Sequence, residues 1–336
     1  MSRKPTITIV SPAARAANNG NWRTAWRWSR FLVARLDVDV RTEWKPVDAA
    51  PHAMIALHAR RSAASLAAFA QACPGRGRVL VLTGTDLYRD LAVDPAAQRS
   101  LDLATHLVVL QDAGCDALAP EHRAKCSVIY QSAPARAPGT PRKRTFDVVL
   151  VGHLRPEKDP LTPMRALLRL PAASNVRLFH IGEALVEAYG EAARALDART
   201  WRSMPRYRWL GARPHGETRR RIGAARAMIV SSVMEGGANV IVEAVTAGVP
   251  VLASDIPGNV GMLGAQYEGY FPAGDDAKLA RLLDRVARDA PFLARLATQC
   301  AERAPLFDPV REAAHVVRLA DEALAWSASP GSAGVE

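Results

Sequence analysis

The sequence has few cysteines, no histidine pairs at metal-binding spacing and no long apolar segment, and each shortage argues against a class of protein. Its four cysteines, Cys73, Cys115, Cys126 and Cys300, show no CxxC spacing, which argues against a disulfide scaffold and a cysteine zinc site. The eight histidines show neither HxH nor HExxH spacing, so we predict no metal site. No run of roughly 18 apolar residues occurs, which argues against a membrane-spanning helix.

The start of the chain and its composition favour a soluble enzyme. The segment MSRKPTITIV lacks the long apolar core of a secretory signal peptide. Hydrophobic residues make up 49% of the chain and charged residues 23%, an ordinary globular composition. We therefore expect a cytoplasmic protein. Its 336 residues exceed what one hydrophobic core usually supports, so two domains of similar size are predicted.

Lysine is also scarce, because only six of the 44 basic residues are lysines, although the formal net charge is +11. The planar guanidinium of arginine suits phosphate groups, so the excess favours anionic ligands. Two alternatives stay open. A GC-rich genome enriches arginine and alanine together, and a noncatalytic module that binds anions or nucleic acid would carry a similar charge. No segment resembles a recognised RNA-binding motif, so we expect no nucleic-acid partner.

Short apolar runs alternate with helix-length segments in both halves of the chain. Six runs occur in the first half: Ile7–Val10, Val38–Arg41, Met54–Leu57, Val79–Leu82, Leu107–Leu110 and Val128–Tyr130. Six follow in the second half: Val148–Val151, Val176–Ile181, Tyr207–Leu210, Met228–Ser231, Val249–Ala253 and a short run near Tyr270. Such alternation predicts parallel sheets wrapped by helices, and therefore an α/β protein with two Rossmann-like domains.

A linker separates the two halves. Residues 133–145, APARAPGTPRKRT, contain three prolines, one glycine and a basic cluster. We predict a first domain over residues 1–140 and a second over 141–308. A helix over 309–325 is expected to pack back on the first domain, and 326–336 to form a loose tail. Ligands of such sheets bind at the carboxyl ends of the strands, so we expect the two sheets to face each other across a cleft that holds the site.

The segment MEGGANVIVEAVTAGVPVLAS, which begins at Met234, is the most informative motif. Its two glycines permit a tight backbone before a helix predicted from Ala238 to Ala247. Free amides at that helix start suit a phosphate, and the carboxylate two turns later suits ribose hydroxyls. We assign donor-binding roles to Gly236, Gly237, Ala238, Asn239 and Glu243, and a catalytic role to Glu235. The alternative is a plain turn followed by a solvated carboxylate.

A basic loop, VGHLRPEKDP, follows the first strand of the second half. Its cations would neutralise a departing diphosphate without a metal, because fixed positive charge stabilises developing negative charge. The loop supplies four candidates. We assign Gly152, Arg155 and Lys158 to the donor, give Lys158 a catalytic role as well, and take His153 as a candidate orienting group.

The first half contributes three loops at predicted strand ends. Gly20 and Asn21 lie in a turn whose amides suit a phosphate, and Arg15 precedes them as an anion contact. Arg60 and Arg61 precede a helix start, where the dipole favours anions over cations. They are therefore predicted to hold an anionic acceptor there; the alternative of equal weight is that they face solvent.

The fourth strand of the first half leads into LTGTDLYRD. We place Thr85 beside the acceptor, while Asp86 has two interpretations of equal weight. It either caps the following helix or acts catalytically by orienting a sugar hydroxyl.

With these motifs located, the chain resembles the GT-B glycosyltransferases of the large family that includes relatives of sucrose and glycogen synthases. The resemblance rests on VGHLRPEK and EGGANVIVEAVTAGVPVLAS. It implies that Lys158 contacts the donor diphosphate, that Glu235 lies near the donor sugar and that Glu243 binds ribose. One departure is His153, where that family usually has arginine. Either Arg155 takes part of the phosphate contact or His153 acts on the acceptor.

A closer resemblance is to the selenosugar synthases of selenoneine biosynthesis, carried by ALHARRSAASLAAF, LTGTDLYRDL, VIYQSAP, GHLRPEKDP, PRYRWLG and SDIPGNVGMLG. It implies that selenophosphate and a UDP-sugar such as UDP-N-acetylglucosamine are the substrates, with no cofactor and no metal. The resemblance also implies that UDP and phosphate are released and a 1-seleno-sugar remains. Selenophosphate is already an ionised, soft nucleophile, so the site needs positive charge more than a strong base.

Two rival functions are weighed against this interpretation. An ordinary hydroxyl-acceptor GT-B glycosyltransferase for lipid or polysaccharide often carries a basic, aromatic helix face. Arg23, Trp26, Arg27 and Arg30 are candidates for such a face, although we expect no stable membrane association. The second rival is the noncatalytic anion- or nucleic-acid-binding module considered above.

Overall fold

The computed structural model describes residues 4–14, 20–137, 139–140, 142, 144–201 and 206–326. Contacts divide the chain into two compact units. The first comprises Met1–Gln131 and Pro309–Glu336, and the second comprises Ser132–Asp308. The division falls earlier than the predicted boundary at residue 140, because the predicted linker runs along the second unit. There the amide of Gly139 donates to the carbonyl of Gly223 over 2.7 Å.

Unit 1 is built on a sheet of six parallel strands in the order β2-β1-β3-β4-β5-β6. The strands are β1 (Thr6–Val10), β2 (Asp37–Arg41), β3 (Ala53–Leu57), β4 (Gly77–Val81), β5 (His106–Val109) and β6 (Cys126–Val128). This order is of the flavodoxin type, in which the chain direction across the sheet reverses between β1 and β3. Loops that leave the carboxyl ends of these two strands are where a sheet of this type is expected to bind a ligand.

Helices cover both faces of this sheet. They are α1 (Gly20–Leu32), α2 (Ala63–Ala72), α3 (Leu91–Val93), α4 (Pro95–Leu103), α5 (Ala113–Asp116), α6 (Pro120–Arg123) and, from the far end of the chain, α14 (Pro309–Ala325), with a π-helical turn over Asp86–Asp90 before α3. The four central strands, β1, β3, β4 and β5, are largely buried on both sides, whereas the edge strands β2 and β6 are partly exposed. Ile55 and Leu57 of β3 pack with Trp28 of α1, whereas Met54 and Ala56 pack on the opposite face. Burial on both faces explains the continuous apolar runs of the sequence.

Unit 2 has a second sheet of six parallel strands in the order β9-β8-β7-β10-β11-β12. The strands are β7 (Phe146–Val151), β8 (Val176–Ile181), β9 (Tyr207–Trp209), β10 (Ala227–Val230), β11 (Val251–Ser254) and β12 (Tyr270–Phe271). Counted within the unit, this is the Rossmann order 3-2-1-4-5-6, with the direction reversing between β7 and β10. The loops after β7 and β10 are therefore the expected ligand-binding loops.

The helices of unit 2 alternate with these strands. They are α7 (Leu161–Arg169), α8 (Glu187–Trp201), α9 (His215–Gly223), α10 (Asn239–Val245), α11 (Pro257–Leu263), α12 (Asp276–Arg288) and α13 (Ala290–Arg303), with 3₁₀ turns over Pro156–Lys158 and Ala304–Phe307. None of the helices in the described part of the chain has both the length and the apolar character needed to span a bilayer.

The prediction of two α/β units with parallel sheets is confirmed, and each of the twelve predicted apolar runs overlaps a strand. One helix differs. The helix expected from Ala238 to Ala247 begins at Asn239 and ends at Val245, because Thr246 is its C-cap and Gly248 follows with φ 71°. Glycine adopts this left-handed conformation without steric cost.

Candidate functional site

The loops that follow β7 and β10 meet at the point where the sheet order of unit 2 reverses, and they bring Lys158 and Glu235 into direct contact. The Lys158 ammonium pairs with Oε1 of Glu235, and the hydroxyl of Ser232 donates to the same oxygen over 2.6 Å. The two predicted residues, 77 positions apart, therefore lie in one site. Both side chains are mostly buried, which strengthens their mutual attraction.

Backbone contacts hold the basic loop in this position. The hydroxyl of Ser231, just after β10, donates to the carbonyls of Lys158 and Asp159 over 3.0 and 2.9 Å. The amide of Val233 donates to the carbonyl of Glu157 over 3.0 Å. Asp159 itself has φ 40°, a left-handed turn in which aspartate is more often found than most residues. The chain therefore doubles back after Lys158.

His180 holds the backbone of Gly152 in place by a hydrogen bond. Its Nε2 donates to the carbonyl of Gly152 over 3.1 Å, and its Nδ1 lies 2.9 Å from the hydroxyl of Tyr207. Because a carbonyl only accepts, Nε2 carries the proton and Nδ1 accepts from Tyr207. Burial lowers the pKa of His180 to about 4, so the ring is neutral. Gly182 also packs directly against Gly152, since a Cβ on Gly182 would lie 1.9 Å from the Gly152 carbonyl oxygen.

His153 and Arg155 lie in the same loop. The amide of Glu183 donates to Nδ1 of His153 over 3.1 Å, which leaves Nε2 as the protonated atom of the neutral ring. Arg155 has an extended backbone, and its Nε is buried with no hydrogen-bond partner among the described residues. The Glu157 carboxylate lies 3.9 Å from this Nε, too far for a hydrogen bond, so the N–H can still donate to an anion.

A small cavity lies at this edge of the second sheet. Its walls include Gly152, Lys158, His180, Ser232 and Glu235. Val240 of α10 also lines it, so the start of that helix borders the cavity. Among the described residues, no group of three or more histidine, cysteine or acidic side chains is arranged to hold a metal ion.

The glycine-rich turn before α10 is enclosed by the chain. Gly236 and Ala238 are buried, and Gly237 and Asn239 are partly buried. Gly258 of α11 packs directly on this turn, because a Cβ there would lie 1.9 Å from the carbonyl oxygen of Glu235. Only glycine permits this approach. The segment SDIPGNVG therefore helps to shape the loop that carries Glu235.

Glu243 lies on α10 and is 6% exposed. Its Oε1 is 2.6 Å from Nε2 of His215, the first residue of α9. A buried carboxylate needs donors, and His215 supplies one. The structure thus places Glu243 on the same helix as the cavity-lining Val240.

In unit 1, the two adjacent arginines occupy the loop between β3 and α2. Arg60 Nε lies 3.0 Å from Oδ2 of Asp90, and Arg89 Nε lies 3.1 Å from Oδ1 of the same residue. Asp90 is 3% exposed, whereas both guanidinium groups reach the surface. Arg60 therefore already has a carboxylate partner, which the sequence motifs do not reveal, and Arg61 lies beside it with an exposed side chain.

Thr85 is contacted by His58, which follows β3. Nδ1 of His58 accepts from the Arg61 amide over 3.3 Å, so Nε2 donates to the Thr85 hydroxyl over 3.1 Å. Burial lowers the pKa of His58, and Asp86 opposes this shift. The neutral ring thus links the arginine loop after β3 to the Thr85 loop after β4.

Asp86 requires a correction. It is fully buried, and its carboxylate accepts from the amides of Ala59, Thr83 and Gly84 over 2.9, 2.9 and 2.8 Å. It caps no helix N-terminus, because these amides precede it in the chain, and it has no surface with which to orient a substrate hydroxyl. Asp86 instead ties the loops after β3 and β4 together.

The remaining unit 1 candidates lie at the start of α1. Gly20 is its first residue, and the hydroxyl of Thr24 donates to the Gly20 carbonyl over 3.0 Å. Asn21 follows and is partly buried. Arg15 lies outside the described residues, so its predicted anion contact stays a prediction.

Several residues of these sites were not predicted from the sequence. They are His180, His215 and Ser232 in unit 2, and Arg89 and Asp90 as contact residues in unit 1. Ser232 lies two positions before the MEGG motif and Asp90 lies inside LTGTDLYRD, so a search for polar residues beside the chosen ones would have found them. No sequence signal connects His215 with Glu243.

Comparisons with known proteins agree with this architecture. A family model described as "Glycosyl transferases group 1" matches residues 133–305, just over half of the chain. The match covers β7 to β12 and includes Lys158, Glu235 and Glu243. A search of curated proteins found no match.

Solved structures share the whole fold at low identity. The chain is similar to sucrose-phosphate synthase from Thermosynechococcus elongatus (TM-score 0.75, 16% identity, 95% of this chain and 99% of the other covered). It is also similar to Anabaena HepE in complex with UDP and glucose (0.74, 16%, 95% and 100%) and to WaaG, a glycosyltransferase involved in lipopolysaccharide biosynthesis (0.66, 16%, 93% and 99%). The predicted GT-B fold is thereby confirmed.

Proposed function

Because this chain belongs to the glycosyl transferases group 1 family, we propose that it transfers a sugar from a UDP-sugar to selenophosphate. The donor we expect is UDP-N-acetylglucosamine. The selenium attacks the anomeric carbon, the bond from that carbon to the UDP oxygen breaks, and UDP leaves. Water then cleaves the selenium–phosphorus bond, so that phosphate is released and a 1-seleno-sugar for selenoneine biosynthesis remains.

The observation that carries the donor half of this proposal is the contact of Lys158 with Glu235 at the reversal point of the second sheet. Nucleotides bind at this point in Rossmann-type sheets. Anabaena HepE, whose fold this chain shares, has a crystal structure in complex with UDP-glucose, which supports the same class of donor here.

In the proposed complex, Lys158 and Arg155 neutralise the departing diphosphate, and no metal is invoked. Nε of Arg155 is buried without a hydrogen-bond partner among the described residues, and the Glu157 carboxylate lies 3.9 Å from it. Fixed cations in a water-poor site stabilise charge as it develops. The carboxylate of Glu235 orients Lys158 and lies beside the donor sugar, with Gly152, Gly236, Gly237 and Asn239 as the backbone that surrounds the phosphates.

The ribose is assigned to Glu243. A carboxylate accepts hydrogen bonds at both oxygens, which matches the two neighbouring hydroxyls of a ribose. Burial of Glu243 at 6% exposure makes these hydrogen bonds stronger than they would be in water.

The anionic acceptor is assigned to the arginine loop of unit 1. Arg60 and Arg61 precede α2, whose first turn holds no acidic residue and whose N-cap Ser62 makes no capping hydrogen bond with its side chain. That helix start favours an anion. Asp90 contacts Arg60 and Arg89 through their Nε atoms, and the Arg60 side chain is 43% exposed.

The rest of the unit 1 loops fit an acceptor that needs no general base. Asp86 is occupied by three amides, and the His58 ring is neutral with both nitrogens bonded. Neither group is available to take a proton. A hydroxyl acceptor generally requires a base at this point, whereas an ionised selenium nucleophile does not.

One observation favours the rival hydroxyl acceptor carried by a lipid or polysaccharide. Trp26 on α1 is 55% exposed, and exposed aromatics beside arginines are typical of helices that bind a membrane surface. Arg27, however, is engaged by the buried Glu312, so it does not belong to that face. Membership of the glycosyl transferases group 1 family argues against the second rival, a noncatalytic module that binds anions or nucleic acid.

The deciding experiment is mass spectrometry after the protein is mixed with selenophosphate and each of several UDP-sugars. We expect a selenium-bearing hexose together with UDP and phosphate. Release of UDP that depends on a sugar hydroxyl acceptor, without selenium in any product, would favour the rival. In the Arg60→Ala Arg61→Ala double variant, the rate should no longer saturate with rising selenophosphate concentration, whereas UDP should still bind. Arg76→Ala, which changes an arginine elsewhere in unit 1, is the control.

A further inference from the structure

His215 and Glu243 form the least expected contact in unit 2. Nε2 of His215 lies 2.6 Å from Oε1 of Glu243, and 28 residues separate them. The imidazole is 45% exposed, whereas the carboxylate is 7% exposed. One partner is therefore held inside the unit and the other reaches solvent.

The fold fixes both ends of this contact. Pro214, with φ −54° and ψ 144°, precedes α9 and makes His215 the first residue of the helix. Glu243 lies in the middle of the buried helix α10, between Val242 and Ala244. Because α9 packs against α10, the start of one helix is set beside the carboxylate of the other.

A histidine is an unfavourable choice at a helix start. The dipole disfavours positive charge there, and His215 makes no cap with the helix backbone in the role that serine or aspartate usually has. Its hydrogen bond runs instead to Glu243. The position of His215 is explained by the carboxylate rather than by the helix that it begins.

We propose that His215 is a positioning residue for the nucleoside of the donor, an inference that rests on the proposed function. Its N–H occupies one acceptor site of Oε1 and fixes the plane of the carboxylate. Each carboxylate oxygen accepts more than one hydrogen bond. The ribose hydroxyls then donate to a carboxylate that is already oriented, which lowers the entropy cost of binding.

The test measures binding of UDP and of 2′-deoxy-UDP to the full chain by calorimetry. In the unaltered protein, removal of the 2′-hydroxyl should weaken binding by about tenfold, the effect of one hydrogen bond to a charged group. In His215→Ala, UDP should bind about tenfold more weakly, and the preference for UDP over 2′-deoxy-UDP should fall to about twofold. A purely structural role would weaken both ligands and leave that preference unchanged.

Two further variants sharpen the test. His215→Gln keeps an N–H donor at a similar reach, so it should restore most of the affinity and the preference for UDP. Glu217→Gln removes a charge from the same helix without touching Glu243 and should bind UDP like the unaltered protein. With UDP-sugar as substrate, His215→Ala should raise KM and leave kcat nearly unchanged, because the lost interaction is made equally in the ground state and the transition state.

The inference is overturned if His215→Ala keeps the full preference for UDP over 2′-deoxy-UDP, or if His215→Gln behaves like the alanine variant. Failure of the donor half of the proposed function looks different. In that case UDP does not bind the unaltered chain at all, and the inference about His215 fails with it.

Discussion

The indole N–H of Trp28 donates to Oε1 of Glu312 over 2.8 Å, although 284 residues separate the two. The other oxygen of the same carboxylate accepts from Nε of Arg27, also over 2.8 Å. Glu312 is 1% exposed. These contacts anchor α14 on α1, and so attach the last described helix to the unit that contains the first strand.

Glu312→Ala should destabilise unit 1 by about 3 kcal/mol, because Arg27 and Trp28 would be left buried without their acceptor. Glu312→Gln keeps one carbonyl oxygen and should cost less. Urea denaturation followed by tryptophan fluorescence measures the change. Glu322→Ala, a half-exposed carboxylate on the same helix, is the control. An alanine variant as stable as this control would contradict the anchoring role.

Gly258→Ala should disrupt the donor loop without touching its side chains. A methyl group at this position overlaps the carbonyl oxygen of Glu235, so the loop that carries Glu235 must move. Misplacement by about 1 Å costs on the order of a hundredfold in rate, and we expect a loss of that size in kcat/KM for the UDP-sugar. Gly75→Ala meets no atom within 4 Å and is the matched control. Equal kcat/KM in the two variants would refute the close approach.

Glu243→Ala should raise the KM for UDP-sugar about tenfold or more, on the order of 1.4 kcal/mol. The reason is the loss of two hydrogen bonds to ribose from a buried carboxylate. Steady-state kinetics with varied UDP-sugar measures it, and Glu268→Ala, a partly exposed carboxylate elsewhere in unit 2, is the control. An unchanged KM would remove the ribose role from Glu243.

The sheets and the donor loops could be predicted from the sequence because their signals are local. Strands buried on both faces appear as uninterrupted apolar runs, as in β3 and β10. The contact of Lys158 with Glu235 followed from a simple rule. Each residue lies in the loop after a parallel strand, and the two strands are neighbours at the reversal of the sheet order.

The features that were missed depend on packing between distant elements. The pair His215 and Glu243 exists only because α9 lies against α10. The Asp86 carboxylate accepts from amides that precede it in the chain rather than from amides of the following helix. This depends on the packing of the loop after β3, which contains Ala59, against the loop after β4. Arg60 looked free for an anion because the sequence does not show that Asp90 lies beneath it. No periodic pattern encodes such contacts.

His180 provides the pH-dependent prediction, because its neutral ring is required by the fold. Burial lowers its pKa from 6.5 to about 4 in the folded chain, while the unfolded chain keeps the ordinary value. Between these pH values the unfolded state binds a proton that the folded state does not. The free energy of unfolding therefore falls as the pH drops from about 6.5 to about 4, by about 3 kcal/mol in total. Above pH 6.5 this contribution is fully present.

Replacement by His180→Gln should flatten that part of the stability curve, because an amide does not titrate. Chemical denaturation at several pH values between 4 and 8 measures the slope of the free energy of unfolding against pH. The slopes are compared rather than the absolute stabilities, since the variant also loses packing. His52→Gln, which removes an exposed imidazole, should keep the slope of the unaltered protein. The prediction fails if the free energy of unfolding of His180→Gln falls as steeply below pH 6.5 as that of the unaltered protein. The acid sensitivity of unit 2 would then arise from other groups, and the hydrogen bonds of His180 to Gly152 and Tyr207 would not require a neutral ring.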